Sequence, residues 1–120
     1  MKKILIVDDE PNIVMSLEYT FRKSGYEVFI ARDGKEAIDI LEVQTPHVII
    51  LDIMMPHVDG YTTIEHVKKQ SHLAHCKVIF LSAKNKESDI EKGLQLGADA
   101  YMTKPFSVKK LIEQVQELVQ

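Results

Sequence analysis

The sequence predicts an α/β protein, a doubly wound three-layer sandwich in which one parallel sheet lies between two layers of helices. Three observations predict it. Short apolar runs without polar alternation recur along the chain, as strands buried on both faces of a parallel sheet require. Segments of helical periodicity separate those runs. Turn and capping residues stand at the changes of pattern.

The first run, Ile4 to Val7, stops at Asp8-Asp9-Glu10-Pro11. Pro11 suits the first turn of a helix, and Ile13, Leu17 and Phe21 then recur at helical spacing. Tyr26 to Ala31 is a second, more mixed strand, which places it near a sheet edge. Asp33-Gly34 turns into a helix carrying Ala37, Ile38 and Leu41. Val48 to Leu51 is the third strand, and Asp59-Gly60 leads into a helix with Tyr61, Ile64 and Val67. Val78 to Leu81 is the fourth. Ile90 and Leu94 mark the next helix, and Ala98 to Met102 is a weaker fifth strand. Ser107 is a good N-cap for the last helix, whose apolar stripe of Val108, Leu111, Ile112, Val115, Leu118 and Val119 is the widest. Gly25 and Gly97 follow helical segments, where a left-handed residue is wanted.

A length of 120 residues fits one domain, spanning 1–120. With 45% hydrophobic and 28% charged residues, the composition is that of a globular chain. The net charge of -3 and pI near 5.9, with fifteen scattered Lys and Arg, leave no electrostatic footprint for nucleic acid. The apolar run after Met1-Lys2-Lys3 is too short for a signal sequence or a membrane span, so a cytoplasmic protein without membrane contact is expected. Cys76 is the single cysteine, which excludes an internal disulfide. It reads as a small filler near the start of a strand.

Ligands of an open parallel sheet bind outside the carboxyl ends of its strands. Here those ends carry reactive side chains: Asp8-Asp9 after the first strand, Asp52 after the third, Ser82 after the fourth, and Lys104-Pro105 after the fifth. Taken singly, each has a bland reading as a cap, a turn or a solvated charge. Together, three Asp at one edge would repel one another unless a cation compensated them. An all-oxygen donor set selects magnesium, or manganese, over zinc. His57, His66, His72 and His75 raise a zinc reading, but His72 and His75 fall in a helix end or loop without carboxylate partners.

The chain resembles the receiver domains of bacterial response regulators over its whole length. The resemblance is carried by Val7-Asp8-Asp9-Glu10, Leu51-Asp52-Ile53-Met54-Met55-Pro56, Asp59-Gly60, Leu81-Ser82-Ala83, Gly97-Ala98-Asp99 and Tyr101-Met102-Thr103-Lys104-Pro105-Phe106. It implies a flavodoxin-like five-stranded sheet of order 2-1-3-4-5 with five helices. It also implies roles. Asp52 would accept the phosphoryl group, with Asp8, Asp9, Asp52 and the backbone carbonyl of Met54 holding Mg2+. Lys104 would pair with that group across a cis bond to Pro105, and Ser82 would hydrogen-bond to it. Ser82 and Tyr101 would form a switch acting on the face of helix 4, strand 5 and helix 5.

A sensor histidine kinase or phosphotransfer protein is the implied donor. An output domain or downstream protein is the implied target, and a phosphorylation-dependent homodimer an implied assembly. Such a chain is a phosphoacceptor signalling domain that assists its own phosphorylation and dephosphorylation, not an enzyme. A stand-alone regulator and a domain of a longer one would look alike here. The main rival, a receiver-like interaction module independent of phosphorylation, would ordinarily lack one of Asp8, Asp9, Asp52, Ser82 and Lys104; all are present.

Overall fold

Strand β1 (Lys3–Val7) is the first element of the computed structural model, which describes residues 1–120. It is followed by α1 (Pro11–Lys23), β2 (Glu27–Ala31), α2 (Gly34–Val43), β3 (Val48–Leu51) and α3 (Gly60–Lys69). A 3-10 turn (Ser71–Leu73) precedes β4 (Lys77–Ser82), α4 (Glu87–Gln95), β5 (Ala100–Thr103) and α5 (Val108–Val119). Every strand pairing is parallel, in the order β2-β1-β3-β4-β5 implied by the family resemblance. Chain order reverses between β1 and β3, where Val7 is the register partner of Leu51. The residues that follow, Asp8 and Asp52, therefore leave the sheet side by side.

The apolar runs lack polar alternation because both sheet faces are covered. Ile4, Ile6, Val48, Ile50, Ile79 and Leu81 pack with Leu17 and Phe21 of α1 and Leu111 and Val115 of α5. Leu5, Val7, Ile49, Leu51, Val78 and Phe80 point the other way, into Ala37 and Leu41 of α2 and Ile64 and Val67 of α3. Truncating one such fully buried Leu to Ala costs about 2–5 kcal/mol.

Capping follows the sequence. Asp33 accepts from the N–H of Glu36, Asp59 from that of Thr62, and Ser107 from that of Lys110. Gly25 and Gly97 take positive φ, 91° and 110°. The strand boundaries move where local bonds intervene. Ala98 and Asp99 do not belong to β5, because Asp99 turns back to bond Val78 through both its backbone N–H and its carboxylate, each at 2.8 Å. Tyr26 stands just before β2, its ring edge-on to Phe21 at 5.4 Å.

Helix α4 is held lightly. Gly93 is its one buried residue; Ile90 is half-buried, and Leu94 is 46% exposed. A Cβ at Gly93 would stand 2.9 Å from the Phe80 ring and 3.0 Å from that of Tyr101, so the missing side chain is what lets α4 approach β5. No helix is long and apolar enough to cross a membrane.

Candidate functional site

Asp8 and Asp52 are continuations of buried strands, which is why they are almost wholly enclosed, at 3% and 4% exposure. The ladder runs one residue past each strand: the Asp8 N–H donates to Ala31 and the Asp52 N–H to Val7. One oxygen of each carboxylate is fixed locally. Asp8 Oδ1 accepts from the N–H of Glu10 at 2.9 Å, and Asp52 Oδ1 from the N–H of Ile53 at 2.7 Å. The other oxygen of each is left for the cluster.

Lys104 fills the space between them. Its backbone N–H donates to the Ser82 carbonyl at 2.8 Å and its peptide bond to Pro105 is cis, as the resemblance implied. Nζ donates to Asp8 Oδ2 at 2.9 Å, Glu10 Oε1 at 3.1 Å and Asp52 Oδ2 at 3.2 Å. An ammonium has three hydrogens, so all are used. Burial pushes the Asp8 carboxyl above its ordinary value despite the Glu10 N–H and the ammonium, which pull it down. Burial would also lower the Lys104 ammonium, but the bonds from Asp8 and Glu10 and the charge of Asp52 outweigh it and hold Lys104 above its usual range.

Three carboxylates, Asp8, Glu10 and Asp52, bring ligand oxygens within 4.8 Å of one another. Asp9 is not among them. It is exposed, and its side chain lines a neighbouring hollow of about 550 Å³ with Ile53, Met54, Met55, Pro56, Tyr61, Lys84 and Lys92. Met54 is 60% exposed and lines that hollow. Glu10 escaped the sequence reading, where it passed as part of a capping run. The usable signal was chemical: Glu is a poor N-cap, and it sits directly before a helix-starting Pro.

Ser82 closes β4 with no exposure, and its Oγ accepts from the N–H of Lys84 at 3.3 Å. Tyr101, half-buried on β5, lays its ring 5.8 Å from Phe80 and donates its hydroxyl to the carbonyl of Lys84 at 2.7 Å. Burial pushes the Tyr101 phenol up to about 12. Ser82 and Tyr101 thus hold the same loop residue, one by its N–H and the other by its carbonyl. Lys84 carried no sequence signal.

The histidines stand apart from the carboxylate cluster. His57, with φ 67°, places Nδ1 2.9 Å from Asp33 Oδ2, and His72 Nε2 donates to the Leu41 carbonyl at 2.9 Å. Cys76 is buried, donates its thiol to the Pro46 carbonyl at 2.8 Å, and is pushed by burial up to about 11.

Comparison with known proteins agrees with this geometry. A family model described as response regulator receiver domain matches residues 4–116. The alkaline phosphatase synthesis transcriptional regulatory protein PhoP of Bacillus subtilis (strain 168) is 42% identical over 118 residues, 98% of this chain and 48% of that protein. The chain thus spans about half the length of that relative. Among solved structures, the Francisella response regulator 1452 receiver domain superposes with a TM-score of 0.92 at 35% identity, covering 99% of this chain and 97% of that one. The receiver domain of sensor histidine kinase PA1611 from Pseudomonas aeruginosa PAO1, with a magnesium ion coordinated in its active site cleft, gives 0.90 at 30% identity, covering 98% and 97%.

Proposed function

The chain belongs to the response regulator receiver domain family, and we propose that it takes a phosphoryl group onto Asp52 from a sensor histidine kinase or phosphotransfer protein. As a receiver domain it is a signalling domain rather than a classical enzyme. One observation carries the reading: Lys104 Nζ lies within hydrogen-bond distance of both Asp8 and Asp52, so the ends of β1, β3 and β5 meet in one charged cluster.

Asp52 is prepared as a nucleophile. The Ile53 N–H fixes Oδ1, which leaves Oδ2 facing the ammonium. In the transfer a bond forms between an Asp52 carboxylate oxygen and phosphorus, while the P–N bond of a phosphohistidine or the P–O bond of an acyl phosphate breaks. The departing imidazole takes up a proton; a departing carboxylate leaves as the anion. Lys104 then exchanges its bond to Asp52 for one to a phosphoryl oxygen, neutralising charge where it develops.

Three carboxylates with one ammonium among them leave two negative charges uncompensated. That imbalance and the all-oxygen donor set fit Mg2+, with Mn2+ as the alternative. Asp8 and Asp52 would hold it, with Asp9 and the Met54 backbone carbonyl as further ligands. When bound it would supply the remaining positive charge for the transferring group.

The new phosphoryl group brings acceptor oxygens that draw the Ser82 hydroxyl toward Asp52. Its bond with Lys84 then breaks, the loop carrying Lys84 is released from Tyr101, and the face of α4, β5 and α5 repacks. An output domain or a downstream protein would read that face, and a phosphorylation-dependent homodimer is a further way of reading it. We assign the receiver role to residues 1–120, placed in the cytoplasm and without direct contact to nucleic acid or membrane.

The test is incubation with acetyl phosphate and magnesium followed by intact-mass measurement. One added phosphate is expected, with none in Asp52→Asn and none after chelation. Labelling that persists in Asp52→Asn would overturn the assignment.

A further inference from the structure

Glu10 stands at the N-cap of α1, yet its side chain makes no capping bond there. It turns the other way, to Lys104 Nζ at 3.1 Å, while its backbone N–H holds Asp8 Oδ1 at 2.9 Å. The same residue therefore touches both members of the Asp8–Lys104 pair. The three acceptors of Lys104 differ in exposure: the side chains of Asp8 and Asp52 are 4% and 5% exposed, that of Glu10 56%. Glu10 forms the solvent wall of the cluster, beside a hollow of about 450 Å³ that Ile13, Ala83, Pro105 and Phe106 also line.

We propose that Glu10 is a positioning residue, the acceptor that retains Lys104 beside Asp52 once Asp8 and Asp52 are engaged by a divalent cation. The inference rests on the metal-dependent phosphoacceptor reading above. With those two carboxylates engaged, the ammonium loses two of its three acceptors and is repelled by the added charge. Glu10 is the acceptor still in contact. Asp9 does not replace it, since its carboxylate lies outside the cluster. Held by Glu10, Nζ stays within reach of a phosphoryl group arriving at Asp52. Without Glu10, the long flexible stem of Lys104 carries the charge out to water.

The test reads Lys104 directly in the full chain, through its rate of acylation by an amine-reactive ester, quantified by peptide mass with the exposed lysines as internal standards. In the wild type, magnesium leaves Lys104 protected. In Glu10→Ala, magnesium raises its acylation about fivefold, the limit for one modest ion pair, whereas without magnesium Asp8 and Asp52 still protect it. Glu10→Gln falls between, because the amide oxygen still accepts a hydrogen bond. The same response to magnesium in Glu10→Ala and wild type overturns the proposal. So does an equal rise with and without magnesium, which would leave Glu10 a static contact. Phosphorylation of Asp52 is read separately by intact mass, so its failure sinks the underlying function without changing the meaning of the Lys104 result.

Discussion

The hydroxyl of Tyr101 donates to the carbonyl of Lys84 at 2.7 Å, and the N–H of the same Lys84 donates to Ser82 Oγ at 3.3 Å. The peptide units of one loop residue join the hydroxyl that ends β4 to the aromatic ring beneath α4. Two further contacts hold this loop side of α4: the Lys84 ammonium lies 3.8 Å from Asp89, whose backbone carbonyl accepts from Tyr61 at 3.2 Å.

Removing either end of this link should uncouple acceptor from face. Ser82→Ala is expected to accept phosphate but to show none of the phosphorylation-dependent amide shifts in α4, β5 and α5. Tyr101→Phe should lose about 1 kcal/mol of stability, the net worth of one hydrogen bond, and keep the label. Two-dimensional amide spectra with and without acyl phosphate decide it; unchanged shifts in Ser82→Ala would remove Ser82 from the switch.

Lys104→Ala leaves two buried carboxylates facing each other without their cation. Breaking a buried pair in this way costs about 3 kcal/mol or more. The loss should appear in urea unfolding of the metal-free protein and shrink when magnesium is added, because a bound cation restores the compensation. An equal loss in both conditions would contradict the shared cluster.

Gly93→Ala puts a Cβ 2.9 Å from the Phe80 ring and 3.0 Å from Tyr101. Overpacking of this kind costs about 1–3 kcal/mol. Because Tyr101 is one of the two rings the Cβ meets, Tyr101→Ala in the same chain should recover part of the loss. A double-mutant cycle with no coupling would show that α4 shifts instead.

Asp33 carries the clearest pH signature. Its carboxyl is held below 3.8 first by the N–H of Glu36 and then by His57. A depressed acid contributes stability that is present above its unfolded value and is lost as pH falls through the folded one. Asp33→Asn should therefore be less stable than the wild type at neutral pH, with the difference closing below about pH 4. Circular dichroism at fixed urea across that range checks the sign.

The Cys76 thiol, buried and pushed up to about 11, should react with iodoacetamide at pH 8 only as fast as the protein opens. Denaturant should release it. Modification of the folded chain at the rate of an unfolded peptide would place the thiol at the surface.

Asp8, Asp52, Ser82 and Lys104 were legible because each ends or follows a short apolar run. A run buried on both faces fixes where its next residue emerges, at the carboxyl edge of a parallel sheet. Glu10 was not legible in the same way. Asp9 and Glu10 are adjacent, and which of them turns toward Lys104 depends on the path of the chain into α1. The fifth strand begins two residues later than the apolar run, at Ala100, because Asp99 bonds Val78, a partner 21 residues away that periodicity does not register.

Periodicity, capping residues and apolar runs thus determined the alternating strands and helices, their parallel sandwich and the sheet edge where chemistry gathers. The resemblance added the strand order and the roles. Tertiary structure alone decided that Glu10 joins Asp8 and Asp52 on Lys104, that Ser82 and Tyr101 meet at Lys84, and that α4 rests on the space left by Gly93. The physical reason is common to all three. A local pattern selects a backbone path, but which side chains come into contact depends on how separate elements pack against the same sheet.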